Sequence, residues 1–138
     1  MRNLNTTRGK MKSGTTNNDW KVIENTGQLE EIQKESFQKP VVIFKNSTRC
    51  GISQSTFNHL KESMAAIEGN NPEISFYLLD IVQFRNISSH IAQRFMVQHE
   101  SPQLLLVENG KCTYHKNHWN ISYTDLIRYL KEEKTSTN

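Results

Sequence analysis

Pro40 opens an unbroken apolar run, Val41-Val42-Ile43-Phe44, and a polar turn, Ser47-Thr48-Arg49-Cys50-Gly51, follows it. A β-branched and aromatic run without alternation has two faces to bury, so it belongs at the centre of a sheet that is covered on each side. The rest of the chain must then supply at least two helical layers, and its apolar spacing does so. Residues 27 to 38 carry Leu29, Ile32 and Phe37 at helical spacing, with Glu30 and Glu31 early and Lys39-Pro40 as the stop. After the turn, Ile52, Phe57, Leu60, Met64 and Ile67 predict a second helix running to Gly69, where Asn70-Asn71-Pro72 breaks it. Ile87, Ile91 and Phe95 predict a third over residues 86 to 95, and Leu126, Ile127 and Leu130 a fourth over residues 124 to 131.

Further strands are expected at Trp20-Lys21-Val22-Ile23, at Ile74 to Leu79 and at Gln103 to Val107. Asn109-Gly110 is a two-residue hairpin signal leading into Lys111 to His115. Helical crossovers imply parallel neighbours, whereas the Asn-Gly hairpin implies an antiparallel pair at the other edge. A mixed, central sheet of four to five strands flanked by helices on both faces is the outline of an α/β thioredoxin-like fold. At 138 residues the chain has room for one such domain, assigned to residues 19 to 134, with a short disordered end at 135 to 138. Six glycines and three prolines exclude a collagen-like chain, and no stretch has the roughly 18 consecutive apolar residues of a membrane-spanning helix.

The formal charge of +3 invites a nucleic-acid reading, but its location argues against one. Arg2, Arg8, Lys10 and Lys12 lie in the first 18 residues, which hold no acid, and the remainder is nearly neutral. An electrostatic footprint must be a patch on the folded domain. Residues 1 to 18 read instead as a disordered basic tail with little to bury, and Met11 is a second candidate start. The tail lacks the apolar core of a secretory signal, so a cytoplasmic location is expected, without membrane or nucleic-acid partners.

Two cysteines, Cys50 and Cys112, are too few for a secreted disulfide framework, and neither has a neighbour at zinc-site spacing. Cys50 falls between a strand and a helix. A thiol there faces unpaired backbone N–H groups and the positive end of the helix dipole, which favour the nucleophilic thiolate. Arg49 adds a cation, and Gly51 is expected to let the chain turn tightly beside the sulfur. Ser53 stands where a dithiol enzyme has its second cysteine, so the motif is Cys-x-x-Ser. Ser101-Pro102, just before a strand, matches the position at which thioredoxin-like folds set a cis-proline opposite the reactive sulfur. Such a bond would leave the N–H and C=O of Ser101 free to pair with an extended substrate.

Pro40 to Ser53, with its Ser47-Thr48-Arg49-Cys50 core, then Leu79-Asp80-Ile81 to Arg85, Val97-Gln98-His99-Glu100-Ser101-Pro102-Gln103, and Tyr114-His115 with His118-Trp119-Asn120-Ile121 carry a more specific signal. Together, in order and at consistent spacing over residues 19 to 131, they resemble the monothiol bacilliredoxins, the YtxJ-like proteins of the bacillithiol redox system. The chain departs from that pattern at Asn46, where the family commonly has histidine, and the tail has no counterpart.

The resemblance implies a monothiol thiol-disulfide oxidoreductase that reduces mixed disulfides between bacillithiol and client cysteines. Cys50 would be the nucleophile and a second bacillithiol the resolving thiol. The partners are bacillithiolated client proteins and this low-molecular-weight thiol, a co-substrate rather than a bound cofactor. Thr48, Arg49 and the backbone at Ser101-Pro102 would line the substrate groove beside Gly51, Ile52 and Ser53. Bacillithiol combines cysteine, glucosamine and malate, so Arg49 or Lys45 is expected to meet its carboxylates, unless Lys45 is only a solvated charge at the strand end.

The remaining groups are weaker candidates. Cys112 follows the hairpin turn, which eight residues of strand place roughly 25 Å from the active pole, so it is expected to be a bystander. His99 is a candidate for assisting proton transfer to the leaving thiolate, against a purely positioning role. His115 and His118 leave a strand on opposite faces without a completing ligand, so no metal site is expected, and His59 and His90 read as helix-surface residues. Cys-Gly-Ile-Ser also resembles the Cys-Gly-Phe-Ser of monothiol glutaredoxins, so an iron-sulfur carrier is one alternative. A non-catalytic thioredoxin-like adaptor is another.

Overall fold

The structure, a computed structural model, describes residues 20–67 and 72–136. The basic tail, the second start at Met11 and the stop at Gly69-Asn70-Asn71 lie outside the described residues. In chain order the described elements are β1 (Lys21–Val22), α1 (Gly27–Glu35), β2 (Val41–Asn46), α2 (Gly51–Ala66), β3 (Ser75–Asp80), α3 (Arg85–Phe95), β4 (Gln103–Glu108), β5 (Lys111–Asn117), a 3-10 turn (His118–Asn120) and α4 (Tyr123–Ser136). The strands form one mixed, five-stranded sheet in the order β1-β3-β2-β4-β5.

All six residues of β2 are buried, as an unbroken apolar run requires. On one face Val41 and Ile43 join Leu29 and Ile32 of α1 and Ile87, Ile91 and Phe95 of α3. On the other, Val42 and Phe44 join Phe57 and Leu60 of α2 and Leu126, Ile127 and Leu130 of α4. The helices therefore cover the sheet in pairs, α1 with α3 and α2 with α4. Trp20 extends the second layer, its ring 5.1 Å from that of Phe57 and 4.9 Å from that of Phe76.

Pairing is parallel for β1 with β3 and for β2 with β3, and antiparallel for β2 with β4 and β4 with β5. The reversal thus begins in the middle of the sheet, not only at the hairpin edge. After α3, residues 96–102 return the chain to the end of the sheet where β2 finishes, so β4 starts there and runs back along it. The hairpin forms as expected, with Asn109 and Gly110 both at positive φ, 52° and 81°.

Helix boundaries differ locally. α1 stops at Glu35, short of residue 38, where the chain tightens into a turn in which Phe37 and Gln38 donate to the carbonyls three residues back, Lys34 and Glu35. Phe37 consequently lies on a turn rather than in the core, 64% exposed. Its ring lies against the hairpin turn at Gly110, which also accepts a bond from Gln33 Nε2 and donates its N–H to Ser36 Oγ at 2.8 Å. α4 continues to Ser136, past the Lys131 at which its apolar pattern stops.

Candidate active site

Cys50 is the N-cap residue of α2, in extended conformation and partly exposed. Its N–H donates to the Ser47 carbonyl at 3.2 Å, and its own carbonyl accepts the N–H of Gln54 at 3.1 Å. Cys50 therefore immediately precedes the helix's first unpaired N–H groups, although its side chain makes no cap hydrogen bond to them. Thr48 and Arg49 are exposed beside it, Thr48 Oγ1 lying 3.4 Å from the Asp80 carboxylate. Ile52 is 44% exposed on the first helical turn.

Gly51 does not perform the tight turn expected of it. A Cβ at this position would meet nothing within 4 Å, and its φ is not in the left-handed region. Ser53 has a defined structural task instead. Fully buried, its hydroxyl donates to Asn46 Oδ1 at 2.7 Å and accepts the Ser47 N–H at 2.9 Å. It ties the first turn of α2 to the end of β2, and so fixes the loop that carries Cys50. Asn46 is the partner in this clamp.

The Ser101-Pro102 bond is cis. Gln103, which follows it, pairs with Lys45 across β2 and β4, so the proline lies at the same pole of the sheet as the Cys50 loop. The Pro102 carbonyl accepts the N–H of His118 at 3.0 Å, drawing the 3-10 turn and Trp119, 78% exposed, to this pole. Among the described residues, neither backbone group of Ser101 makes a backbone hydrogen bond.

Lys45 is not a solvated charge. It is fully buried, on the α1/α3 side of β2, and its Nζ lies 3.4 Å from the Ser88 carbonyl and 3.3 Å from His99 Nδ1. Burial pulls its ammonium down to about 8 from 10.5. It therefore does not project from the strand end toward a substrate carboxylate. His99 Nδ1 also lies 2.9 Å from Ser88 Oγ. With an ammonium beside it, Nδ1 is the acceptor and the ring proton belongs on Nε2. Desolvation first, then Lys45, holds the imidazole below its usual value, against a smaller opposing pull from Glu100. The ring is thus anchored to α3 through Ser88, a residue whose role no sequence pattern signalled.

Gln103 is the other group that sequence reasoning quoted but gave no role. Fully buried, it donates through Nε2 to the Gln98 carbonyl at 3.0 Å and to Asn117 Oδ1 at 2.9 Å. It thereby braces the loop before the proline against β5. Its position directly after Pro102 at the start of an apolar run was the available signal.

Cys112 pairs with Val107 near the opposite end of β4 and is reduced, as is Cys50. Burial pushes its thiol up, partly offset by backbone hydrogen bonds. His118 Nε2 lies 3.4 Å from Glu100 Oε1, His115 is exposed on β5, and His59 and His90 are exposed on helices.

The architecture is shared with solved oxidoreductases. A putative oxidoreductase with a thioredoxin fold superposes at TM-score 0.67 with 25% identity, covering 80% of this chain and 92% of that one. A thioredoxin from Nicotiana alata superposes at 0.62 with 18% identity, covering 87% and 96%, and one from Malassezia sympodialis at 0.59 with 19% identity, covering 82% and 89%. The latter two speak for the fold alone. The family model for monothiol bacilliredoxin BrxC matches residues 21–126, a span containing the strand-turn-helix that presents Cys50, the Ser53 clamp and the cis-proline. The chain belongs to the monothiol bacilliredoxin family, as a thiol oxidoreductase of thioredoxin-like fold.

Proposed function

We propose that the protein reduces mixed disulfides between bacillithiol and client protein cysteines in the cytoplasm. The Cys50 thiolate attacks the bacillithiol sulfur of the modified client, forming a Cys50–bacillithiol disulfide as the client sulfur leaves as thiolate and takes up a proton. A second bacillithiol thiolate then attacks the bacillithiol sulfur of that adduct. Bacillithiol disulfide is released and Cys50 is regenerated; the second bacillithiol is oxidised as the client cysteine is reduced, and the first bacillithiol stays at the disulfide level throughout. Bacillithiol is thus a co-substrate, and the extended client segment pairs with the Ser101 backbone beside Pro102.

The observation that carries this reading is the absence of a resolving thiol near Cys50. Position 53 holds a serine whose hydroxyl is committed to Asn46 and Ser47, and Cys112 lies near the other end of β4. A small thiol from solution meets that need. The test is a bacillithiolated client protein incubated with wild type, Cys50→Ser and Cys112→Ser, followed by intact mass. Wild type and Cys112→Ser should release the client thiol and gain one bacillithiol, and Cys50→Ser should do neither. An internal Cys50–Cys112 disulfide would overturn the mechanism.

A further inference from the structure

We propose that the cleft between the start of α3 and the loop before Pro102 holds the carboxylate-bearing, non-thiol end of the small thiol, with Arg85 as its principal contact. This rests on the function proposed above and assigns the recognition step within it.

The cleft is about 450 Å3, within the range of small-molecule sites, and its lining includes Ser47, Arg85, Ser88, Ser89 and His99. It begins at the nucleophile's own loop, because the Ser47 carbonyl accepts the Cys50 N–H. The cleft and the Cys50 loop thus share Ser47. The lining supplies a guanidinium, three hydroxyls and an imidazole, with Ile81 and Val82 as the aliphatic part, and no carboxylate. The first turn of α3 likewise contains no acid. Two acids stand at its edge, each already engaged: Asp80 accepts the N–H of the lining residue Val82 at 3.0 Å and faces Thr48, and Glu100, next to His99 in the chain, lies against His118.

Lys45 gives a second, independent reason. Its ammonium is fully buried directly behind two lining residues, touching the Ser88 carbonyl and His99 Nδ1. Both are neutral acceptors, and among the described residues no carboxylate lies within ion-pair distance of it. A buried cation without a counter-charge is costly, and an anion in the cleft that these two residues line would supply one. Arg85, exposed at the mouth, offers a planar fork suited to a carboxylate.

The experiment uses a protein-free reaction, so that an acidic client segment cannot stand in for the small thiol. Reduced protein is mixed with bacillithiol disulfide or with neutral 2-hydroxyethyl disulfide. In each case the Cys50 thiolate displaces one thiolate and forms one mixed disulfide, and the second-order rates are compared. Wild type should prefer bacillithiol disulfide. Arg85→Gln should lower that preference about tenfold, the cost of one charge-assisted hydrogen bond, and Arg85→Lys should restore part of it. Arg94→Gln, the same charge change near the other end of α3, should keep the wild-type preference. Malate should inhibit the bacillithiol disulfide reaction of wild type more than that of Arg85→Gln. If wild type shows no preference, the bacillithiol reading itself fails. If it shows the preference and Arg85→Gln retains it in full, or if Arg94→Gln loses as much, only the cleft assignment is overturned.

Discussion

The Ser53 hydroxyl donates to Asn46 Oδ1 at 2.7 Å inside the protein, locking the first turn of α2 onto the last residue of β2. It also accepts the Ser47 N–H, so one side chain satisfies two groups at the base of the Cys50 loop. Removing it leaves both unpaired. Ser53→Ala should lose about 1–3 kcal/mol of stability in urea unfolding. If Ser53 were only a placeholder for an absent second cysteine, the midpoint would not move.

The two thiols should differ in reactivity. Cys112 packs against the α1/α3 core layer, and burial pushes its thiol up, whereas Cys50 caps a helix at the active pole. Iodoacetamide at pH 7.5 should label Cys50 about tenfold faster than Cys112, as mapped by peptide mass. Equal labelling would show that the Cys112 site opens readily.

Lys45 should leave a signature in the pH dependence of stability. Its folded value of about 8 lies below the unfolded 10.5, so between these limits the unfolded chain binds more protons and stability rises with pH. The stabilisation is fully present above 10.5 and is lost as pH falls to about 8. Lys45→Met has no such titration. Across this window the stability difference should move toward wild type by up to about 3 kcal/mol. Tyrosines that burial pushes up, Tyr77 and Tyr123 among them, titrate in the opposite sense but cancel in the comparison. Parallel urea midpoints for the two proteins from pH 7.5 to 9.5 would contradict the buried ammonium.

Gly110 adopts φ 81°, and a Cβ there would come within 2.9 Å of Phe37 Cζ. Phe37 is exposed and can swing away, so the left-handed backbone sets the cost. Gly110→Ala should lose about 1–2 kcal/mol in thermal or urea unfolding. The bacillithiol exchange rate should be unchanged, because the turn is at the pole opposite Cys50. A slowed exchange would mean that the two ends of β4 are coupled.

What the sequence determined by itself was whatever depends on short-range order. The unbroken run at Val41 to Phe44 required a central strand with two covered faces, and helical spacing supplied the covers. Asn109-Gly110 specified its turn because few residues tolerate positive φ at consecutive positions. The place of Cys50 between strand and helix was legible for the same reason, as was that of Pro102 before β4. Tertiary structure decided what those segments meet. Lys45 reads as a strand-end charge, yet β4 and α3 close over it, and its partners Ser88 and His99 are 43 and 54 residues away. The Ser53 clamp, the central antiparallel reversal and the recess bounded by Arg85 and His99 likewise arise from elements that meet only when the sheet assembles. Burial and charge compensation are properties of those meetings, and no local pattern encodes them.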